Sequence, residues 1–158
     1  MKHMREMFPF FAPYPASYKR FVAGSFAPTA IAWSYDNRTA GFRIVGEGPS
    51  LQIECRAPGA DANPYLVFAA AIAAGLDGIE QRIEPLGMFQ GNLYQARELP
   101  QVPRTLNEAI GEMEQSKWMR KVFGENVIRH YLHFFRTEQR AFDQAVTTWE
   151  LARYFERA

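Results

Sequence analysis

A nearly continuous apolar run occupies residues 63–79, "NPYLVFAAAIAAGLDGI". Asn63 is a good N-cap, and Pro64 suits the first helical position, where a backbone N–H has no intrahelical partner. These signals predict a helix from about Pro64 to Arg82. Because this helix is apolar almost all round, we expect it to be buried on most faces, beneath a sheet.

Three runs with strand character precede this helix. They are "TAIAWSY" (29–35), "GFRIVG" (41–46) and "LQIECRA" (51–57). The short connections between them contain turn-forming residues, which predicts an antiparallel meander. After the helix comes a connection rich in glycine and proline, and then a helical pattern that continues to the C-terminus.

The predicted fold class is therefore α+β. It combines a small antiparallel sheet, a buried Ala-rich helix and a set of C-terminal helices. No internal repeat and no composition break divides the chain, so residues 1–158 are predicted to form a single domain. The chain starts with a helical pattern that has no capping residue ahead of it, which suggests that this domain is partial.

Charged side chains alternate with apolar ones in the predicted strands, so one face of the sheet should carry charge. The candidates are Arg43 in the second strand and Glu54 with Arg56 in the third, together with Arg20 before the sheet and Arg38 in its first turn. Guanidinium groups around one carboxylate suit a site for phosphates and a carboxylate substrate, with the carboxylate available to a divalent cation. Spacing alone leaves a second interpretation open, a solvated face with paired surface charges.

Composition and motifs exclude several classes of function. A net charge of +1 offers no concentrated positive field for nucleic acid or for a membrane surface. The longest apolar run is shorter than the roughly 20 residues of a membrane span. The single cysteine, Cys55, fits a reducing compartment, so we predict a cytoplasmic protein. Motifs typical of zinc proteases, Walker nucleotide sites and serine hydrolases do not occur.

Two longer strings resemble a known family. They are "SYKRFVAGSFAPTAIAWSYDNRTAGFRIVG" (17–46) and "QIECRAPGADANPYLVFAAAIAAGLDGI" (52–79). They are similar to the C-terminal part of the catalytic domain of the glutamine synthetase family. That family has an SYKR segment, an NRS/T turn before an arginine strand, an R-x-E-x-R strand, and NPYL leading into an Ala-rich helix.

The resemblance implies a carbon–nitrogen ligase. Such an enzyme uses ATP, with Mg²⁺ or Mn²⁺, to activate the γ-carboxylate of glutamate as an acyl phosphate, and an amine then displaces the phosphate. It also implies a ring-shaped homo-oligomer. Phosphoryl transfer depends mainly on positioning and charge neutralisation, which arginines and metal ions provide.

The resemblance further implies a role for each candidate residue. Arg20 and Arg56 match arginines that hold the glutamate substrate. Arg38 matches an arginine that meets both glutamate and the transferred phosphate, which makes it the catalytic candidate. Arg43 matches a ligand of the nucleotide phosphates, and Glu54 matches a ligand of an active-site metal ion.

Phe26 marks a departure from the family pattern. It stands in "AGSFAP", where glutamine synthetases carry a glutamate that helps to bind ammonium. Phenylalanine carries no charge and accepts no proton, but it can pack against an alkyl chain or face a cation. This segment resembles that of the family branch that joins glutamate to polyamines or ethanolamine. We therefore predict a γ-glutamyl-amine ligase, with Phe26 in the substrate site. A loop phenylalanine buried for packing is the alternative.

Other departures concern the metal site and regulation. Gln52 replaces the first arginine of R-x-E-x-R, and the upstream acidic motifs of the family do not occur in these residues. Glu54 alone cannot hold a metal cluster, so the isolated chain is predicted to be inactive. A fragment of a true glutamine synthetase and a non-catalytic assembly module remain alternatives. Tyr94 lies where some bacterial relatives are adenylylated, but an ordinary loop tyrosine is favoured here.

Overall fold

The computed structural model describes residues 1–157, in which helices and strands both occur. The strands are β1 (Trp33–Tyr35), β2 (Phe42–Val45) and β3 (Gln52–Cys55). The α-helices are α1 (Phe8–Phe11), α2 (Pro64–Glu80), α3 (Leu106–Gln115), α4 (Lys117–Phe123), α5 (Glu125–Gln144) and α6 (Thr148–Tyr154). Short 3₁₀ turns lie at Pro15–Arg20, Gly48–Ser50, Leu93–Gln95 and Phe155–Arg157. The predicted α+β class is confirmed.

The sheet has the order β1-β2-β3. β2 and β3 are antiparallel as predicted, but β1 and β2 are parallel, so the prediction of a fully antiparallel meander was wrong. The reason lies in the connection after β1. Asp36 adopts a positive φ of 40°, and the side-chain oxygen of Asn37 accepts a hydrogen bond from the Thr39 amide at 2.9 Å. This compact loop returns the chain to the start of β1 before β2 begins.

The two faces of the sheet differ in chemistry, as the alternating pattern predicts. Arg43 of β2 lies opposite Glu54 of β3, whereas Ile44 lies opposite Ile53. Ser34 of β1 pairs in register with Arg43 and therefore belongs to the same face. The charged face carries the candidate functional residues, and the apolar face turns toward α1 and α2.

The core of the protein is built around the short helix α1. Phe8, Phe10 and Phe11 are each at most 1% exposed. The ring of Phe10 meets those of Phe123 and Tyr131 edge-on, at centroid distances of 5.4 and 5.3 Å. α1 therefore joins the helical half of the chain to the sheet, because Phe11 also borders the apolar face of the sheet.

Helix α2 begins at Pro64 as predicted, with the Asn63 side chain accepting a hydrogen bond from the Tyr65 amide at 3.0 Å. Its predicted burial was wrong, because Ala70 is the one residue of α2 that is buried. Along one side runs an exposed row at helical spacing, here called the apolar stripe. The apolar stripe consists of Tyr65 (83% exposed), Phe68 (64%), Ile72 (62%), Leu76 (54%) and Ile79 (76%).

The exposure of α2 has a geometric cause. Residues on its inner side, among them Ala71 and Ala74, face the sheet across an open apolar cavity of about 520 Å³. The described part of the chain thus places neighbours on one side of α2 and nothing against the apolar stripe. A helix that is apolar all round needs neighbours on both sides, and residues 1–157 provide them on one.

A histidine ties α2 to the N-terminal segment. The His3 ring is 5% exposed and stacks on Trp118 at 3.8 Å between centroids. Its Nε2 lies 2.8 Å from Oδ2 of Asp77 on α2, and its Nδ1 contacts the carboxylate of Glu6. The hydrogen bond from His3 holds the pKa of the Asp77 carboxyl below its ordinary value.

This contact predicts a pH-dependent contribution to stability. Because the folded-state pKa of Asp77 is lowered, its contribution is present above the unfolded pKa of about 3.9 and is lost as the pH falls through the folded pKa. In urea unfolding we expect Asp77→Asn to be less stable than wild type at pH 7, with the difference in the free energy of unfolding narrowing progressively as the pH falls below about 3.9. Glu98→Gln, at an exposed carboxylate, serves as the control. A difference in unfolding free energy between wild type and Asp77→Asn that stays constant with pH would contradict the lowered pKa of Asp77.

Candidate functional site

Arg43 lies at the centre of the charged face of the sheet. Its Nη1 donates a hydrogen bond to Oε2 of Glu54 at 3.1 Å, and its Nε donates to Oδ1 of Asp36 at 3.1 Å. The hydrogen bond from Arg43 to Asp36 holds the pKa of the Asp36 carboxyl below its ordinary value. The structure therefore brings Arg43 and Glu54 together as the sequence predicts, but it also engages Arg43 with two carboxylates.

Arg56 follows β3 and reaches two separate loops. Its Nη2 donates to the carbonyl oxygen of Phe26 at 3.0 Å, and its Nη1 donates to the carbonyl oxygen of Arg38. Its Nε lies 3.6 Å from Oε1 of Glu54. Hereafter residues 22–27 are called the Phe26 loop and residues 36–39 the Arg38 turn. Five predicted site residues thus form one connected group: Phe26, Arg38, Arg43, Glu54 and Arg56.

The Arg38 side chain is exposed and has no hydrogen bond or ion pair within residues 1–157. It borders an open cavity of about 730 Å³ that Ser34, Arg43 and Gln90 also line. The Arg38 turn is anchored by Asn37, whose side-chain nitrogen Nδ2 donates a hydrogen bond to the Gly91 carbonyl at 2.8 Å. A guanidinium held on a fixed turn and facing an open cavity is suited to an anion such as phosphate.

Arg20 lies beside the same end of β3. Its Nη2 donates to the carbonyl oxygen of Ala57, and its guanidinium lies 4.4 Å from the centre of the Phe21 ring. Burial lowers the pKa of the Arg20 guanidinium. Its Nε is buried and, in the described residues, has no hydrogen-bond partner. A buried donor without a partner costs stability, which favours an anionic partner for this arginine.

Phe26 projects from its loop into solvent. It is 66% exposed and has a positive φ of 62°, a region that residues other than glycine seldom adopt. The interpretation of Phe26 as a residue buried for packing is therefore wrong. The Phe26 carbonyl is bound by Arg56, so the loop that carries this exposed ring lies next to the predicted site.

The residues present do not fit a complete divalent-metal site. Glu54 offers one carboxylate, and it is flanked by the guanidiniums of Arg43 and Arg56. Within the described range, no group of three or more His, Cys, Asp or Glu residues is arranged to hold a metal ion. Mg²⁺ prefers about six oxygen ligands, so Glu54 can be at most one member of a larger set.

Two residues of this site were missed by the sequence analysis. Asp36 pairs with Arg43, and Asn37 anchors the Arg38 turn. Both stand beside Arg38 in "YDNRT", and an aspartate next to an asparagine is a common turn signal. Pairing Asp36 with Arg43, however, required the parallel register of β1 and β2, which the short connection did not suggest.

The Tyr94 hydroxyl is buried and lacks a hydrogen-bond partner among the described residues. A modifying enzyme needs an accessible hydroxyl, so this geometry fits the favoured interpretation of an ordinary loop tyrosine. None of the helices in residues 1–157 is both long enough and apolar enough to cross a membrane.

Comparison with known proteins identifies the family. The sequence model described as glutamine synthetase, catalytic domain, matches residues 1–154. This chain belongs to the glutamine synthetase family. The resemblance found in the sequence is thereby confirmed.

Two relatives and one solved structure illustrate the similarity. Gamma-glutamylethanolamide synthetase GlnA4 of Streptomyces coelicolor is 52% identical over 154 residues, covering 98% of this chain and 33% of the relative. Type-1 glutamine synthetase 2 of Dictyostelium discoideum is 39% identical over 155 residues, covering 96% of this chain and 30% of the relative. A GmaS/ADP complex superposes with a TM-score of 0.86 at 30% identity, covering 98% of this chain and 37% of that chain. The chain spans about a third of the length of these two curated relatives.

Proposed function

We propose that this chain supplies part of the active site of an ATP-dependent ligase that joins the γ-carboxylate of glutamate to an amine through γ-glutamyl phosphate. One observation carries the preference for an amine larger than ammonia: the Phe26 ring is exposed to solvent, and Arg56 binds the backbone carbonyl of the same residue. The 52% identity to a protein named gamma-glutamylethanolamide synthetase supports the same choice, compared with 39% to a glutamine synthetase.

Each predicted residue has a role consistent with its surroundings. Arg38, whose side chain has no polar contact in the described chain, would neutralise the transferred phosphoryl group that ATP supplies when bound. Arg20, with its unpaired buried Nε, and Arg56 would hold glutamate. Arg43 would contact nucleotide phosphates only after releasing part of its pairing with Asp36 and Glu54. That pairing raises the pKa of the Arg43 guanidinium.

The incomplete metal site limits what the isolated chain does. Glu54 would contribute one ligand to Mg²⁺ or Mn²⁺, and the other ligands would have to come from a further polypeptide segment. We therefore propose that the isolated 158-residue chain has no ligase activity. A single partial domain, a cytoplasmic location and a ring-shaped homo-oligomer remain predictions.

A chimera tests the proposed function. Residues 1–154 replace the matching third of the Streptomyces relative, and phosphate release is followed with ATP, glutamate and either ethanolamine, a polyamine or ammonia. We expect release with at least one larger amine to be about tenfold faster than with ammonia, because Phe26 cannot bind ammonium as a glutamate would. The unmodified 158-residue chain is the matched negative control. Equal use of ammonia would favour the alternative of a true glutamine synthetase.

A non-catalytic assembly module is the second candidate. The exposed apolar stripe on α2 favours it, because contiguous exposed apolar surface commonly marks an interaction site. The chimera separates the two candidates. A chimera that folds and assembles but releases no phosphate with any amine would support the assembly module.

A further inference from the structure

The contacts of Arg56 point to a role beyond substrate binding. Its backbone amide donates to the Gly41 carbonyl at 2.9 Å, which fixes the base of the side chain to the sheet. The side chain is 13% exposed and ends between the Phe26 and Arg38 carbonyls. Arg56 therefore joins the Phe26 loop to the Arg38 turn through one rigid, planar group.

The Phe26 loop has few other hydrogen bonds, although Ala27 at its end is buried in the core. Inside it, the Ser25 hydroxyl donates to the Val22 carbonyl at 2.7 Å and accepts from the Ala27 amide at 3.3 Å. Among hydrogen bonds of the described residues, the one from Arg56 alone ties residues 22–27 to a segment beyond the 3₁₀ turn that precedes them. Arg56 thus ties the Phe26 backbone, which carries the exposed ring, to the end of β3.

The guanidinium retains capacity for a ligand. It has five N–H donors. The two carbonyls take one donor from each Nη, and Nε faces Glu54 at 3.6 Å. One N–H on each Nη remains, and two such donors can bind a carboxylate. A substrate carboxylate and the two loops would then be held by the same group at the same time.

We propose that Arg56 is a positioning residue that couples occupancy of the glutamate site to the placement of Phe26, and so to the selection of the amine. This coupling rests on the proposed function. The latch itself, meaning the two hydrogen bonds from Arg56 to the Phe26 and Arg38 carbonyls, does not depend on it. Lysine at position 56 would keep the charge but could not span both carbonyls, because an ammonium lacks the planar fork.

The latch is tested on the 158-residue chain by amide hydrogen exchange. In Arg56→Lys, we expect exchange to become at least about tenfold faster in both the Phe26 loop and the Arg38 turn, while the β2 and β3 amides are unchanged. Arg120→Lys is the matched control, because Arg120 also donates to a backbone carbonyl, that of Glu114 at 2.8 Å, away from this site. Faster exchange in one loop alone, in neither loop, or equally in the control overturns the latch.

A measurement on the wild-type chain covers the case in which Arg56→Lys does not fold. In ¹⁵N-edited NMR spectra at low temperature, Arg56 is expected to give restricted, separate Nη signals. Arg38, with no polar contact of its side chain in the described residues, gives the averaged signals of a freely rotating guanidinium and is the internal reference. Averaged signals from Arg56 as well overturn the latch.

The coupling is tested in the chimera by a double-mutant cycle. Arg56→Lys is expected to raise KM for glutamate and for the amine, each about fivefold or more, with a smaller change in kcat. In a Phe26→Ala background, Arg56→Lys should leave KM for the amine unchanged, whereas additive effects overturn the coupling. A wild-type chimera without ligase activity contradicts the proposed function, and the exchange experiment then still decides the latch.

Discussion

Replacing Arg38 with alanine in the chimera is expected to lower kcat by about 10²–10³-fold, the loss typical of removing one preorganised charge donor from a transition state. The reason is geometric. Arg38 is the one predicted site arginine whose guanidinium makes no hydrogen bond or ion pair in the described part of the chain. It can meet developing phosphate charge without first breaking a contact. Steady-state phosphate release with saturating ATP, glutamate and amine measures the effect.

Arg38→Lys and Arg140→Ala are the matched variants for this prediction. Lysine keeps the charge but loses bidentate geometry, so a partial loss, between those of wild type and Arg38→Ala, is expected. Arg140 is an exposed arginine on α5, and its removal should leave kcat within about twofold of wild type. A kcat for Arg38→Ala within about threefold of wild type would remove Arg38 from the catalytic role.

The charged face of the sheet was predictable because it depends on local alternation. Glu54 and Arg56 alternate with apolar residues, and the period of two places both on one side of the chain. Arg43 shares their face because the register of β2 and β3 pairs it with Glu54. The N-terminus of α2 was predictable for a similar reason, since Asn63 and Pro64 act within one turn of the helix. Both signals are complete within a few residues.

What could not be predicted depends on non-local geometry. The parallel pairing of β1 and β2 depends on the path of the whole 36–41 connection, including the left-handed backbone of Asp36, and the turn signal in the sequence does not specify that path. The hydrogen bond from Arg56 to Phe26 joins positions 30 residues apart. Because every residue has a backbone carbonyl, the residue type at position 26 does not indicate that a guanidinium binds there. The burial of α2 was predicted from its apolar composition, but burial also requires a segment that packs against the helix. The hydrophobic pattern of α2 does not indicate which part of the protein that segment belongs to.

The apolar stripe should respond in opposite ways in the isolated chain and in the chimera. In the isolated chain, Phe68→Ser with Ile72→Asn removes exposed apolar surface that is 64% and 62% exposed in the wild type. We expect the wild-type chain to self-associate and the double variant to be more nearly monomeric, with little change in melting temperature, because substitutions at exposed positions usually change stability by about 0.5 kcal/mol or less. Analytical ultracentrifugation with thermal unfolding measures both effects.

In the chimera the same two substitutions should be strongly destabilising. If the remainder of a glutamine synthetase domain covers α2, each substitution leaves a cavity and a buried polar group, and the expected cost is about 2–5 kcal/mol per site. Val122→Asn on α4, an exposed apolar position away from the apolar stripe, is the control and should be nearly neutral in both contexts. Equal, small losses of stability in both contexts would mean that α2 stays exposed in the longer protein. A large loss of stability confined to the chimera identifies the apolar stripe as the surface against which the rest of the domain packs.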